Sequence, residues 1–113
     1  MTTRAAVLFS ALAFFAPAAV RAGEKTVNFR TADGCRLEAF YLPPSGGALV
    51  FVNSHGLGSD KNEWRSFETA LGKAGFGYLS LDLRGHGGSL KCGGKIADYR
   101  RFGPADWPLV SGD

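Results

Sequence analysis

VFVNSHGLGSDKNEWRSFETALGKAGFGYLSLDLRGHGGS, residues 50–89, carries the clearest alternation of apolar runs and Gly-rich breaks in the chain. Together with the two residues before it, ALVFV (48–52) is continuously apolar, the mark of a strand buried on both faces, as in a parallel sheet. Asn53 to Gly58 is a loop. Asp60, with Glu63 three residues on, resembles a capping box in which Asp replaces Ser or Thr. Trp64, Phe67, Leu71 and Ala74 follow at helical spacing, and Gly75 offers a C-terminal stop. YLSLDL (78–83) is a second strand with Leu79, Leu81 and Leu83 on one face, and residues 84–94 form a Gly-rich loop. Strand, helix and strand make a βαβ unit, which implies an α/β sheet with a right-handed crossover. The loops after such strands open at the carboxyl edge of the sheet, where ligand sites of α/β proteins gather.

Upstream, TVNFRT (26–31) alternates with Val27 and Phe29 on one face, Asp33-Gly34 makes a turn, and RLEAFYL (36–42) alternates again. The pair reads as a β-hairpin. Pro43-Pro44-Ser45-Gly46-Gly47 breaks the chain before the buried strand. On the other side, Asp106 and Pro108 mark a helix start shortly before the last residue, Asp113. No internal repeat is present.

The chain has 113 residues, 45% of them hydrophobic, with 13 Lys+Arg, 10 Asp+Glu and two Cys. That composition is globular, neither charged enough for disorder nor Cys-dense enough for a disulfide scaffold. The first 22 residues have the pattern of an export signal. Arg4 precedes an apolar block, 5–16, then come Pro17 and small residues, and Val20-Arg21-Ala22 suits cleavage after Ala22. The uninterrupted block is shorter than the ~20 residues of a spanning helix, so no stable membrane span is expected after cleavage. The expected location is exported, periplasmic or secreted, and residues 23–113 form the folded part. Loss of Arg4 and Arg21 takes the formal charge from +3 to about +1, so a nucleic-acid partner has no support. Export would put Cys35 and Cys92 where a disulfide can persist. No C-x-x-C pair or His/Cys cluster at ligand spacing occurs, so no metal is expected.

Two loops carry the chemistry: Asn53-Ser54-His55-Gly56-Leu57-Gly58 after the first central strand, and Asp82-Leu83-Arg84-Gly85-His86-Gly87-Gly88-Ser89 after the second. Gly-rich turns at a strand's end let backbone N–H groups face outward, and such donors stabilise a developing oxyanion. Rival motifs fail on spacing. Gly56-Leu57-Gly58 is followed three positions on by Lys61 instead of the third Gly of a dinucleotide fingerprint. Gly72-Lys73-Ala74 and Gly94-Lys95-Ile96 lack the Ser/Thr of a P-loop.

Residues 50–89 resemble the α/β-hydrolase superfamily, of the serine hydrolase or esterase type, with looser similarity from Thr26 to Asp113. H-G-x-G looks like the family's oxyanion-hole loop and D-x-R-G-H-G-x-S like its marker after the fourth strand; Tyr99 to Phe102 and Asp106-Trp107 resemble the approach to the following helix. The resemblance makes Leu57 the backbone N–H donor to the oxyanion, with His55, Gly56 and Gly58 supporting the loop. It gives Asp82, Arg84, Gly85, His86 and Gly87 a structural part in the second loop. It rejects His55 and His86 as the base, because the family's nucleophile, acid and base come later in the chain, in that order. Ser54, Ser59 and Ser89 do not sit in G-x-S-x-G. Epoxide hydrolases of the superfamily often carry Pro where this chain has Gly58, which leans the expectation toward acyl hydrolysis. The substrate implied is a small-molecule ester or acyl compound, and no metal or organic cofactor is implied.

The fold class expected is therefore α/β, an incomplete α/β-hydrolase sheet with an N-terminal hairpin followed by βαβ with central strands, truncated before the nucleophile elbow. Ending before the strand that carries the nucleophile, such a chain alone is expected to be inactive, and it is expected to be poorly soluble because 48–52 would be left as an apolar edge. In the family layout the second strand runs antiparallel beside the fourth, which puts Cys35 in the neighbourhood of Cys92, with a disulfide and two free thiols as the alternatives. Two further readings stand beside the esterase: a non-catalytic exported fragment or decayed gene product, and a peptidase or lysophospholipase-like member.

Overall fold

The structure is a computed structural model that describes residues 22–113. The expected signal segment, 1–22, lies outside the described residues apart from Ala22. The chain forms β1 (Lys25–Arg30), β2 (Cys35–Leu42), β3 (Val50–Ser54), a 3-10 turn at Lys61–Trp64 running into α1 (Arg65–Lys73), β4 (Gly77–Leu81), β5 (Lys91–Cys92), β6 (Lys95–Ile96), a 3-10 turn at Tyr99–Arg101, and α2 (Trp107–Val110). The strands make one mixed sheet in the order β3-β4-β2-β5-β6, with β1 also pairing β2. β3 and β4 are parallel and joined through α1; the other pairs are antiparallel.

Period-2 alternation gives the sheet two unlike faces. On one, Phe29 lies opposite Leu37, Val27 opposite Ala39, Ala39 opposite Leu81, and Cys35 opposite Cys92. Cys35, Leu37, Ala39 and Leu81 are buried there as the core cluster. The other face carries α1. The Arg65 guanidinium stacks 3.6 Å above the Phe40 ring, and Phe51 meets Phe67 and Phe76 edge-on at 5.8 and 5.6 Å. α1 ends as its sequence demands: Gly75 N–H donates to Gly72 O, and Phe76 N–H to Leu71 O, the two bonds of a Schellman motif.

The hairpin, the βαβ unit and the α2 start are where the sequence puts them, and five local expectations need correction. The run 48–52, which supplies the start of β3, is not buried on both faces, since Leu49 is 68% and Val52 69% exposed. An unbroken apolar run marks a strand made to be covered, and among the described residues no strand pairs with the outer edge of β3. β4 stops at Leu81, two residues short, because Asp82 turns into the cluster described below. Residues 84–94 are not all loop: β5 and β6 form a small hairpin around Gly93-Gly94, which has positive φ at both positions, a two-residue turn signal legible in the sequence. The Asp60 carboxylate caps the 3-10 turn through Asn62 N–H at 2.8 Å, whereas Glu63 leaves the capping box and accepts from Gly56 N–H at 2.8 Å. Finally, Asp106 makes no side-chain cap on α2 and accepts from Gly103 N–H instead.

Candidate active site

Loops 55–60 and 82–89 leave the carboxyl ends of the neighbouring parallel strands β3 and β4, and two histidines lock them together. His55, in the first loop, accepts the Leu83 N–H of the second at Nε2, 3.0 Å, so its proton sits on Nδ1, which is 2.8 Å from Gly56 O. His86, in the second loop, accepts the Gly58 N–H of the first at Nε2, 3.3 Å, and its Nδ1 donates to Arg84 O at 3.0 Å. Both rings are buried, with centroids 4.8 Å apart. Every ring nitrogen is thus engaged in holding backbone.

The first loop contains a tight turn. Ser59 N–H donates to Gly56 O, and Gly58 has φ +77°, so residues 56–59 form a type II turn with Leu57 at its second position. Gly58 is needed there, since the conformation is left-handed and its α-carbon faces the Tyr99 hydroxyl. Within this turn Gly56 N–H is taken by Glu63, Gly58 N–H by His86 and Ser59 N–H by Gly56. Leu57 N–H alone of the four donates to no group among the described residues, and its side chain is 75% exposed. Tyr99 braces the arrangement by stacking on His86, centroids 4.2 Å apart and planes within 5°.

The second loop is shaped by the wholly buried carboxylate of Asp82. It accepts Lys61 N–H at 2.6 Å, Gly88 N–H at 2.8 Å and the Lys61 ammonium at 2.7 Å. Lys61 also meets Glu38 at 2.8 Å. Burial alone would lower the Lys61 pKa, but the bonds and charges of Asp82 and Glu38 outweigh it and hold it above the ordinary value. Gly87, at φ +49°, lies against Asp82 so closely that a Cβ would overlap the carboxylate. Gly85 receives Tyr99 N–H at its carbonyl. Ser89 is fully buried, donating to Asp82 O at 2.6 Å and accepting Glu38 N–H at 2.9 Å, which removes it as a nucleophile.

Arg84 does not pair locally. It reaches Asp33 at 2.5 and 3.1 Å and Asp113 at 2.6 Å, tying the β1–β2 turn and the last residue to the second loop. The hydrogen bonds from Arg84 and then Thr31 lower the Asp33 pKa from 3.8 to about 2. A depressed carboxylate stabilises the fold fully above its ordinary pKa and loses that contribution as pH falls from about 4 through about 2. Asp33→Asn should therefore lower the urea midpoint at neutral pH while leaving it nearly unchanged at pH about 2. With the side chain 43% exposed, the difference is modest and shrinks in salt.

Cys35 and Cys92 lie opposite each other on β2 and β5 and are joined by a disulfide. Beside the loops, Val52, Ser54, Leu81, Leu83, Trp107 and Val110 line an open groove of about 550 Å³. Neither this groove nor the Tyr99 and Glu63 contacts were legible in the sequence, because each joins segments far apart in the chain. Among the described residues, no group of three or more His, Cys, Asp or Glu is arranged to hold a metal, and no helix is long and apolar enough to cross a membrane.

No protein-family model and no curated protein matches the chain. Solved structures do match it. An epoxide hydrolase from an endophytic Streptomyces is 29% identical over 61% of this chain, with a TM-score of 0.50. A lipase in its open form is 28% identical over 58%, and an esterase from Exiguobacterium antarcticum 25% identical over 57%, each with a TM-score of 0.50. The chain has an α/β-hydrolase fold. Its sheet is partial, and the chain spans between 20% and 23% of the length of these three structures.

Proposed function

We propose that this chain forms the oxyanion-loop part of an exported α/β-fold serine hydrolase acting on small carboxylic esters or related acyl compounds. The observation that carries the reading is Leu57 N–H, which among the described residues is the one unpartnered donor of a turn whose other three N–H groups are bonded. When a serine attacks an acyl carbonyl, the oxygen becomes an anion, and a preorganised backbone donor stabilises that charge without reorganising at the moment of reaction. His55 and His86 keep the turn rigid by joining it to the loop after β4. Serine, acid and base would come from other sequence. Residues 1–22 support export through their charged start, apolar block and small-residue cleavage site.

The neighbours include an epoxide hydrolase as well as esterase and lipase, so the local backbone weighs more than their names. Gly58 sits at φ +77°, a conformation closed to the Pro that epoxide hydrolases often carry at this place, and this favours acyl chemistry. Purified protein of residues 23–113 is expected to show no turnover of nitrophenyl esters or of an epoxide, whereas a form that also carries the G-x-S-x-G serine, the acid and the His base should hydrolyse the ester. Robust ester turnover by sequence-verified 23–113 protein would overturn this assignment of roles. Among the described residues no strand pairs with the outer edge of β3, which favours a second reading, a non-catalytic exported product or a module completed by another chain. The reading frame beyond Asp113 separates the two: a G-x-S-x-G pentapeptide within about 30 residues supports the enzyme.

A further inference from the structure

The register of the sheet places three cations side by side. Arg30 on β1 lies opposite Arg36 on β2, and Arg36 lies opposite Lys91 on β5. Directly opposed residues project from the same face, so the three form one transverse row, about 10 Å long at the usual strand spacing. All three are exposed, and among the described residues none has a carboxylate partner. The nearest acid on that face of β2, Glu38, is engaged by Lys61. Like charges directly opposite one another weaken a sheet, and here they are stacked across three strands with no counter-charge.

The fourth position of the row is Ile96, which pairs with Lys91 and is 73% exposed. Cations beside an exposed aliphatic chain suit a layer of anionic headgroups over an acyl boundary. A nucleic acid would instead be met by aromatic faces for stacking, and this row has none. We propose that the Arg30–Arg36–Lys91 row, edged by Ile96, is a docking surface for bilayers rich in anionic phospholipid. The surface is independent of the ester chemistry, so it can hold or fail whatever the reaction proves to be.

Vesicle sedimentation of the full chain tests it, comparing neutral phosphatidylcholine vesicles with vesicles also containing phosphatidylglycerol. Adsorption of three basic side chains corresponds to a partition ratio of about a hundredfold in favour of the anionic vesicles. That preference should disappear in Arg30→Gln/Arg36→Gln/Lys91→Gln and at ~1 M salt, where the Debye length is about 3 Å. It should persist in Lys25→Gln/Lys73→Gln/Arg101→Gln, which removes the same charge elsewhere. Millimolar inorganic phosphate should not displace the protein; displacement would mean that a free phosphate is the ligand. Equal binding to both vesicles, an unchanged preference in the first triple variant, or binding to single-stranded RNA without vesicle preference would each overturn the proposal.

Discussion

In an active form of the proposed ester hydrolase, Leu57→Pro should lower kcat by roughly 100- to 1,000-fold, the loss expected when one oxyanion donor is removed. The backbone makes this substitution unusually selective. Leu57 occupies the second position of a type II turn, where Pro is favoured, and its side chain is exposed, so the change deletes an N–H and little else. KM should change little, because the oxyanion forms only after binding. Leu57→Ala keeps the N–H and should retain wild-type kcat. If Pro and Ala behave alike, or if Pro lowers the melting temperature in step with activity, the donor role is wrong and the turn is merely structural.

Removing the disulfide should have the largest effect on stability. Cys35 and Cys92 are 57 residues apart in sequence, and closing a loop of that length is worth about 4 kcal/mol in the chain-entropy model. The apolar side chains buried among the described residues are few: Cys35, Leu37, Ala39, Leu71, Tyr78 and Leu81. A core of that size leaves little margin, so Cys35→Ala/Cys92→Ala is expected to be largely unfolded at physiological temperature. Reduction of the wild type should reach the same state. The loss begins at the β5–β6 hairpin, which β2 holds through two paired residues. Amide exchange at Gly93 and Ala97, whose N–H groups bond to Gly34 O and Leu90 O, should accelerate first. An unchanged urea midpoint in the double variant would show that packing alone holds the hairpin.

The order of elements was legible because periodicity and punctuation agree. Val27 and Phe29 alternate onto the core face, Leu79 and Leu81 share that face, and Gly75 stops α1 with the expected carbonyl bonds. The two loops were legible as Gly-rich segments at strand ends. What they hold could not be read, because it depends on contacts across the chain: Glu63 bonds to Gly56, Tyr99 stacks on His86, and Arg84 reaches Asp33 and Asp113. β3 shows the limit of pattern reading most clearly. An apolar run records that a strand suits burial, whereas its exposure depends on which neighbours are present. The charge row Arg30–Arg36–Lys91 is likewise invisible until strand register is known.

In the proposed reaction Leu57 N–H faces the oxygen on which charge develops. A crystal structure of the active form, with an alkylphosphonate bonded to its nucleophile, tests this most directly, since the phosphoryl oxygen stands where the oxyanion would be. That oxygen is expected about 3 Å from Leu57 N, with the His55–Leu83 and His86–Gly58 bonds intact. An oxygen held by other donors, with Leu57 N–H bonded to protein or turned away, would contradict it.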